Sequence, residues 1–264
     1  MSVERPGGGL DPGDAPPGAG RLFVVGLGPG DPALLTPQAR AALESADVVV
    51  GYAAYLEHVR VWLPGGDYRP SPIGDEQARA RDALGLAAAG QSVALVSSGD
   101  AGVYGMASVA LEEWERWPPP RPPLAVVPGV TALLAAAALL GAPIGLDFAA
   151  VSLSDLLVPW PTIARRLEAA AAGDFVIGLY NPASHGRRWQ LAEACAILRR
   201  HRADDTPVGV VRDAFRPGQR VGVVPLGALA AQAVDMLTIV LVGSSQTRRV
   251  GEYLLTPRGR AARG

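Results

Sequence analysis

Short apolar runs alternate with helical stretches along most of the sequence, and this alternation restricts the possible folds more than any other feature. Each run is too short for a helix and is bounded by turn residues, which is typical of buried strands. Strand, helix and strand in succession form a parallel crossover unit, so we predict an α/β fold with mostly parallel or mixed sheets. The predicted strands cover 22–25, 47–51, 92–97, 124–127, 175–180, 208–211 and 237–242, and the predicted helices cover 37–43, 76–89, 105–117, 131–140, 163–172 and 189–201.

The 264 residues suit one large domain or two modest ones. We expect a disordered leader over 1–20, because it is rich in glycine and proline and lacks the apolar core of a signal peptide. An N-terminal domain is expected over 21–142, a C-terminal domain over 143–257 and a tail over 258–264, with fraying from Val250 onward. Residues 124–146 carry no charge, but proline and glycine interrupt them, so no membrane span is expected.

Composition excludes several classes of function. The 24 basic residues are all arginine, which removes Schiff-base and pyridoxal-phosphate chemistry and the lysine of a P-loop. A net charge of −1 gives no basic field for nucleic acid or anionic lipid. The single cysteine suits a reducing cytoplasm. The histidines at 58, 185 and 201 are widely spaced, so no metal site is predicted.

The glycine-rich segment 26–31 follows the first predicted strand directly, where α/β sheets bind ligands. Three details oppose a dinucleotide fingerprint. The third glycine is Gly30, one position too early; the second predicted strand ends in Gly51-Tyr52 without an acidic residue; and Pro29 removes a backbone N–H that a phosphate would need.

A second glycine turn, at 97–102, also follows a predicted strand and also places an aspartate beside glycine. Asp31 and Asp100 taken singly suit helix N-caps, which is the structural alternative. Taken together with the glycines, two carboxylates at one sheet edge would repel a pyrophosphate and favour a ligand with a positive centre. S-adenosylmethionine has a sulfonium, an ammonium and ribose hydroxyls, and we therefore favour it as the ligand.

These turns resemble a known family. The sequences GLGPGD at 26–31, SGDAGVYGM at 98–106 and PGVTA at 128–132 are similar to those of the tetrapyrrole (corrin) methylases. The resemblance extends from Arg21 to about Pro257. It implies two α/β domains with S-adenosylmethionine in the cleft between them, S-adenosylhomocysteine as the product, a tetrapyrrole as the methyl acceptor and a homodimeric assembly.

Further motifs narrow the resemblance to the branch that methylates precorrin-3B at C-17 with contraction of the macrocycle, in cobalamin synthesis. They are GYxxY at 51–55, SLSDLLVPW at 152–160, LYNPAS at 179–184 and VGSSQTR at 242–248. A neighbouring corrin methylase, specific for C-11 or C-20, is the alternative. A non-enzymatic Rossmann-like binding or regulatory module is a further one.

The resemblance also implies site residues. Those expected to contact the cofactor are Gly28, Pro29, Gly99, Asp100, Val103, Thr131, Ala132, Tyr180, Asn181 and Ala214. For the substrate's carboxylate arms we expect Ser152, Arg187 and Arg212, because arginine forks suit carboxylates. The ring contraction would benefit from a general acid or base, for which Asp100, Asp155 and His185 are the candidates. The segment 71–76 departs from the family pattern, which leaves substrate contacts from that region open.

Overall fold

The computed structural model of the protein describes residues 20–184 and 186–259. Its strands are β1 (Arg21–Gly26), β2 (Val48–Tyr52), β3 (Asp67–Ser71), β4 (Ser92–Ser97), β5 (Leu124–Val127), β6 (Gly141–Ala142), β7 (Phe148–Ser152), β8 (Val176–Tyr180), β9 (Pro207–Arg212), β10 (Arg220–Pro225), β11 (Thr238–Val242), β12 (Arg248–Val250) and β13 (Tyr253–Leu255). Its α-helices are α1 (Pro37–Glu44), α2 (Ala53–Trp62), α3 (Glu76–Ala88), α4 (Ala107–Arg116), α5 (Ala132–Leu140), α6 (Trp160–Ala172) and α7 (Trp189–Leu198). Every predicted strand and helix is present, and the predicted α/β class is confirmed.

The first compact unit contains one fully parallel sheet in the order β3-β2-β4-β1-β5. Successive side chains of a strand point to opposite faces, and both faces of β1 are buried. Leu22 and Val24 pack with α3 and α4, whereas Phe23 and Val25 pack with α1 and α2. Helices therefore cover both faces, as expected for strands that read as continuous apolar runs.

The second compact unit contains a mixed sheet in the order β10-β9-β11-β8-β7. β7 and β8 are parallel, and β11 runs antiparallel to both β8 and β9, so β7, β8 and β9 end at the same edge. Ile177 and Leu179 face α6 and α7, while Ile239 and Leu241 face α5.

The expected fraying from Val250 onward is wrong for Tyr253–Leu255. This segment is β13, which pairs with β12 and with the short β6 in a three-stranded sheet. Leu254 is 1% exposed, so an apolar residue in the segment expected to fray belongs to the core of the second unit. Of the tail expected over 258–264, the structure describes only Arg258 and Gly259, and of the leader only Gly20.

The division between the two compact units falls between Thr131 and Ala132, earlier than the expected 142/143. The physical reason is α5. Its residues Ala136, Ala137 and Leu140 pack against β9 and β11, so the helix belongs to the second unit.

Besides β6, β12 and β13 of the three-stranded sheet, three further strands and one α-helix were not predicted, and these three strands are edge strands. β3 has only one partner strand and is largely exposed, and it contains Pro70, which an edge strand tolerates. β7 and β10 lie at the two edges of the second sheet and are partly exposed. The helix, α2, buries only Leu56 and Val59. Within the described part of the chain, none of the helices combines the length and apolar character that crossing a bilayer requires.

Candidate functional site

The neighbouring strands β1 and β4 end at a topological switch point. The loop after β1 leads to α1 on one face of the sheet, and the loop after β4 leads to α4 on the opposite face. Loops that diverge in this way leave a crevice at the carboxyl edge, which is where open α/β sheets bind ligands. Both predicted glycine turns lie at this point.

The two glycine turns are joined backbone to backbone. The N–H of Gly28 donates to the carbonyl of Gly99 at 2.9 Å, and the N–H of Gly99 donates to the carbonyl of Gly28 at 2.8 Å. Both residues have left-handed backbones, with φ of +72° and +68°, which glycine adopts without strain. Pro29 and Gly99, both expected to contact the cofactor, are buried at this junction.

The loop after β5 packs against the same junction, and Asp100 fastens it there. One carboxylate oxygen of Asp100 accepts from the N–H of Gly102 at 2.8 Å, and the other accepts from the N–H of Gly129 at 2.9 Å. A Cβ added to Gly129 would lie 2.2 Å from the carbonyl oxygen of Gly99, so only glycine fits there. Asp100 therefore sets the relative position of two loops, a structural role that accompanies any contact with a ligand.

Asp31 has the structural role of a helix N-cap. Its side chain accepts from the N–H of Ala33 and caps a short 3-10 helix over Pro32–Leu34. Thr36 caps α1 and also donates to the carbonyl of Pro128 at 3.2 Å. Val103 and Thr131, the remaining residues of the predicted cofactor set in this unit, are partly exposed on the loops after β4 and β5.

At the carboxyl edge of the second sheet, two predicted residues are in contact. The amide nitrogen of Asn181, just after β8, donates to the hydroxyl of Ser152 at the end of β7, at 2.9 Å. Asn181 has a left-handed backbone with φ of +52°, a strained conformation that is common at functional sites. The hydroxyl of Tyr180 accepts from the N–H of Leu133 at the start of α5. Ala132 begins that helix.

Arg187 is 6% exposed, and protein groups already occupy its guanidinium. It donates to the carbonyls of Leu153 and Asn181 at 3.0 and 2.8 Å, and its Nε lies 3.9 Å from the Asp155 carboxylate. Burial lowers the pKa of Arg187, while Asp155 acts in the opposite direction. Asp155 also accepts from the side chain of Gln190 at 3.0 Å. The guanidinium thus ties the ends of β7 and β8 together.

Arg212, at the end of β9, is held between two carboxylates. Its Nε donates to Asp235 at 2.8 Å, and its Nη1 pairs with Asp213. Hydrogen bonding and charge from Asp235 raise the pKa of Arg212. Burial raises the pKa of Asp235, but hydrogen bonds from Arg212 and Thr238 outweigh this and leave the pKa lowered. Ala214 follows Asp213, whose backbone is left-handed with φ of +50°.

The remaining candidate residues for catalysis or metal binding add no defined group to the site. His185 lies outside the described residues. The part of the chain that the structure describes contains no cluster of His, Cys, Asp and Glu fit to hold a metal ion. Cys195 is buried, and burial raises the pKa of its thiol to about 11, which leaves it unreactive at neutral pH.

The sequence reasoning missed Arg79 on α3. Its guanidinium is buried and lies at the carboxyl edge of the first sheet, near the ends of β2, β3 and β4. The surrounding pattern DEQARAR predicts a solvated helix, so no local signal distinguished Arg79 from its neighbours. The departure of the segment 71–76 from the family pattern was the one indication that this region differs.

Comparison with known protein families identifies the family of the chain. Residues 21–230 match the family described as Tetrapyrrole (Corrin/Porphyrin) Methylases, and the chain belongs to that family. The chain is 45% identical over 246 residues to the precorrin-3B C(17)-methyltransferase of Sinorhizobium sp, covering 90% of this chain and 96% of that protein. It spans 45%, about half, of the length of other curated relatives that it matches.

Solved structures give the same family. The chain is similar to the crystal structure of the methyltransferase CobJ, with a TM-score of 0.84, 41% identity and coverage of 90% of this chain and 100% of that one. It is also similar to uroporphyrin-III C-methyl transferase from Thermus thermophilus, which was solved with S-adenosyl homocysteine. That match has a TM-score of 0.69 and 30% identity, and covers 85% of this chain and 97% of that one. The resemblance stated from the sequence motifs is confirmed.

Proposed function

We propose that this protein transfers a methyl group from S-adenosylmethionine to C-17 of precorrin-3B, or of its cobalt-loaded counterpart, with ring contraction in cobalamin synthesis. The observation that carries the proposal is the 45% identity to a named C(17)-methyltransferase that the chain matches over 96% of its length. The probable cobalt-factor III C(17)-methyltransferase of Salmonella typhimurium supports the cobalt-loaded substrate equally, at 43% identity over 98% of its length.

The carboxyl edge of the first sheet fits the cofactor. The three loops at 26–31, 97–105 and 127–131 contain two aspartates and no arginine or histidine, so their side-chain charge suits a cation and not a pyrophosphate. Gly28, Pro29, Gly99, Asp100, Val103 and Thr131 are the residues of this unit that we propose to hold it. When bound, S-adenosylmethionine supplies a methyl group already activated on sulfur, so the chain's task is to orient both reactants and exclude water.

In the second unit we propose cofactor contacts for Ala132, Tyr180, Asn181 and Ala214 and a substrate contact for Ser152. Arg187 and Arg212 were expected to hold substrate carboxylates. Since carbonyls and carboxylates of the protein occupy both guanidinium groups, we propose that they position the ends of the strands. Asp155 is a general acid or base candidate because its carboxylate is partly exposed, at 27%. Asp100 and His185 stay candidates for the same role.

The direct test is incubation of the protein with precorrin-3B and S-adenosylmethionine whose methyl group carries carbon-13. Mass spectrometry counts the methyl groups added, and NMR locates the labelled carbon. Label at C-17 with contraction supports the proposal. Label at C-11 or C-20 selects the alternative, another corrin-precursor methylase. Absence of any transfer together with absence of cofactor binding in calorimetry would leave only a binding or regulatory module.

We further propose that the protein acts as a homodimer in the cytoplasm. The family resemblance supports the dimer, and a single buried thiol suits a reducing compartment. Sedimentation equilibrium tests the assembly: twice the chain mass supports it, and the mass of one chain contradicts it. Cell fractionation tests the compartment.

A further inference from the structure

We propose that Arg79 binds one carboxylate arm of the tetrapyrrole, in a small cavity at the carboxyl ends of β2, β3 and β4. The inference rests on the proposed function and assigns a substrate contact to a residue that the sequence motifs did not single out. It replaces Arg187 and Arg212, because both of these already face carboxylates of the protein, whereas Arg79 pairs with none among the described residues.

The surroundings of Arg79 hold its guanidinium in a fixed position. Its Nε donates to the hydroxyl of Ser71 at 2.5 Å, and its Nη2 donates to the carbonyl of Pro72 at 2.6 Å. Its Nη1 contacts the sulfur of Met106 at 3.5 Å, a weak acceptor. An arginine carries five N–H donors in a planar fork, so donors on both terminal nitrogens remain for a ligand. The side chain is already ordered, which reduces the entropy lost on binding.

Arg79 is 4% exposed, and its charge lacks a neutralising partner in the structure. Over residues 20–184 and 186–259, no carboxylate lies within 4.0 Å of its guanidinium nitrogens. The same helix offers a contrast, because the exposed Arg81 pairs with Glu113 at 2.6 Å. A buried charge without a partner is costly, and buried arginines in proteins are normally paired. An anion supplied by the substrate would be the missing partner.

A cavity of about 140 Å³ adjoins Arg79. At about 30 Å³ per water, it holds roughly four or five non-hydrogen atoms. This size suits a carboxymethyl or carboxyethyl arm and is much smaller than the macrocycle itself. Tyr52, Tyr55 and Tyr104 line the cavity, and aromatic walls with a small number of polar or charged groups are typical of a ligand pocket.

The position of the cavity is consistent with substrate binding. The loop after β4 supplies Ser98 and Tyr104 to the cavity and Gly99 and Val103 to the proposed cofactor contacts. Tyr104 has a left-handed backbone with φ of +54° and is 54% exposed, the strained and accessible conformation often found where a ligand binds.

Glu76 also lines the cavity, and its charge has the opposite effect on an anion. Its carboxylate accepts from the N–H of Gly74 at 3.2 Å, in an exposed position. A substrate carboxylate at Arg79 would be repelled by Glu76 and attracted more strongly by the nearer, buried guanidinium. Removing the Glu76 charge is therefore expected to leave substrate binding unchanged or to tighten it.

The test measures the affinity of the full chain for precorrin-3B by absorbance titration under anaerobic conditions. Arg79→Met is compared with Arg81→Met, which removes an exposed arginine from the same helix. We expect the dissociation constant to rise ten- to hundredfold in Arg79→Met, to rise less in Arg79→Lys, and to change less than twofold in Arg81→Met. Glu76→Gln should bind at least as tightly as the wild type. Equal affinities of Arg79→Met and Arg81→Met would overturn the inference.

A second measurement does not depend on the folding of a variant. In wild-type protein labelled with nitrogen-15 arginine, the Nε–H resonance of Arg79 is assigned by its absence from the spectrum of Arg79→Lys. It should move on addition of precorrin-3B, and an unmoved resonance at saturating ligand would contradict the assignment. If Arg79→Lys is unstable, assignment through the backbone of the wild type gives the same readout.

The two proposals fail differently. If the wild type transfers a methyl group to C-17 while Arg79→Met binds precorrin-3B as well as Arg81→Met does, only the Arg79 inference is lost. If the wild type binds precorrin-3B through Arg79 but does not transfer a methyl group or bind S-adenosylhomocysteine, only the proposed function is lost.

Discussion

The carboxyl edges of the two sheets are held together by different chemical groups. At the edge of the first sheet, main chain meets main chain: Gly28 and Gly99 exchange hydrogen bonds, and Gly129 packs against both loops. At the edge of the second sheet, side chains connect the strands: Arg187 binds two carbonyls and Arg212 binds two carboxylates.

The left-handed residues beside these contacts also differ. Gly28 and Gly99 adopt this backbone without strain, whereas Asn181 and Asp213 in the second unit lack the freedom of glycine. Tyr104, further along the loop after β4, is also left-handed. A main-chain edge is sensitive to any added atom, because backbone cannot move aside. A side-chain edge is sensitive instead to the loss of a charge or donor. The predictions below test this difference, from the largest expected effect to the smallest.

The largest effect is expected from Gly129→Ala. The new Cβ would lie 2.2 Å from one carbonyl oxygen and 2.8 Å from another, both of the main chain. We expect a loss of about 3 kcal/mol in the free energy of unfolding, at the upper end of overpacking effects, and loss of S-adenosylhomocysteine binding. Urea denaturation and calorimetry measure the two. Gly222→Ala, where the Cβ meets open space, is the matched control.

Arg187→Met should have the next largest effect. It leaves the carbonyls of Leu153 and Asn181 without their donor, so the free energy of unfolding should fall by about 2–3 kcal/mol. Arg188→Met removes the exposed neighbour and should be nearly neutral. Similar denaturation midpoints for the two variants would show that the guanidinium does not hold this edge together.

Asp100→Asn tests a side chain that joins two of the loops at the edge of the first sheet. An amide has a single acceptor oxygen, so one of the N–H groups of Gly102 and Gly129 loses its partner, at a cost of about 1–2 kcal/mol. The loss of charge should also weaken S-adenosylmethionine binding in calorimetry. Asp31→Asn should be milder, since asparagine caps a helix as well as aspartate does. Unchanged S-adenosylmethionine binding in Asp100→Asn would show that the charge of Asp100 does not attract the cofactor.

The smallest expected effect is the change in stability caused by Asp235→Asn, and this effect depends on pH. The pKa of Asp235 is lowered in the folded protein, so its stabilisation is present above the unfolded pKa of about 3.9 and is lost as the pH falls through the lower folded value. Asp235→Asn should therefore be less stable than the wild type by up to about 1 kcal/mol at pH 7. The difference should shrink below about pH 4. Acid titrations followed by circular dichroism measure it, and a difference that is constant with pH would be the contrary result. The defect of Gly129→Ala involves no titratable group and should not follow this pattern.

The sequence predicts the interior strands but misses three of the four edge strands of the two large sheets, β3, β7 and β10, for one physical reason. The fourth edge strand, β5, was predicted from its apolar run. β1, β4 and β8 lie inside their sheets and are apolar on both faces, so their residues alone indicate a strand. β3 contains Pro70 and exposed polar residues, and only its pairing with β2 makes it a strand. That pairing brings together residues distant in the chain, which local patterns do not encode.

The residues of the candidate site also divide into those that the sequence predicts and those that it does not. The glycine turns were predictable because a left-handed backbone and close approach demand glycine, and that demand is visible in the sequence. Burial of an arginine is not visible there. Arg187 was predicted to bind substrate but is enclosed by carbonyls, whereas Arg79 looks like a surface residue and is buried beside a cavity.

A crystal structure of the protein soaked with S-adenosylhomocysteine tests the central claim most directly, that the main-chain edge of the first sheet binds the cationic sulfur cofactor. The account predicts the product against Pro29, Gly99 and Val103, with the three glycine loops unmoved. An empty edge at saturating ligand, or a nicotinamide nucleotide bound there in preference, would contradict it.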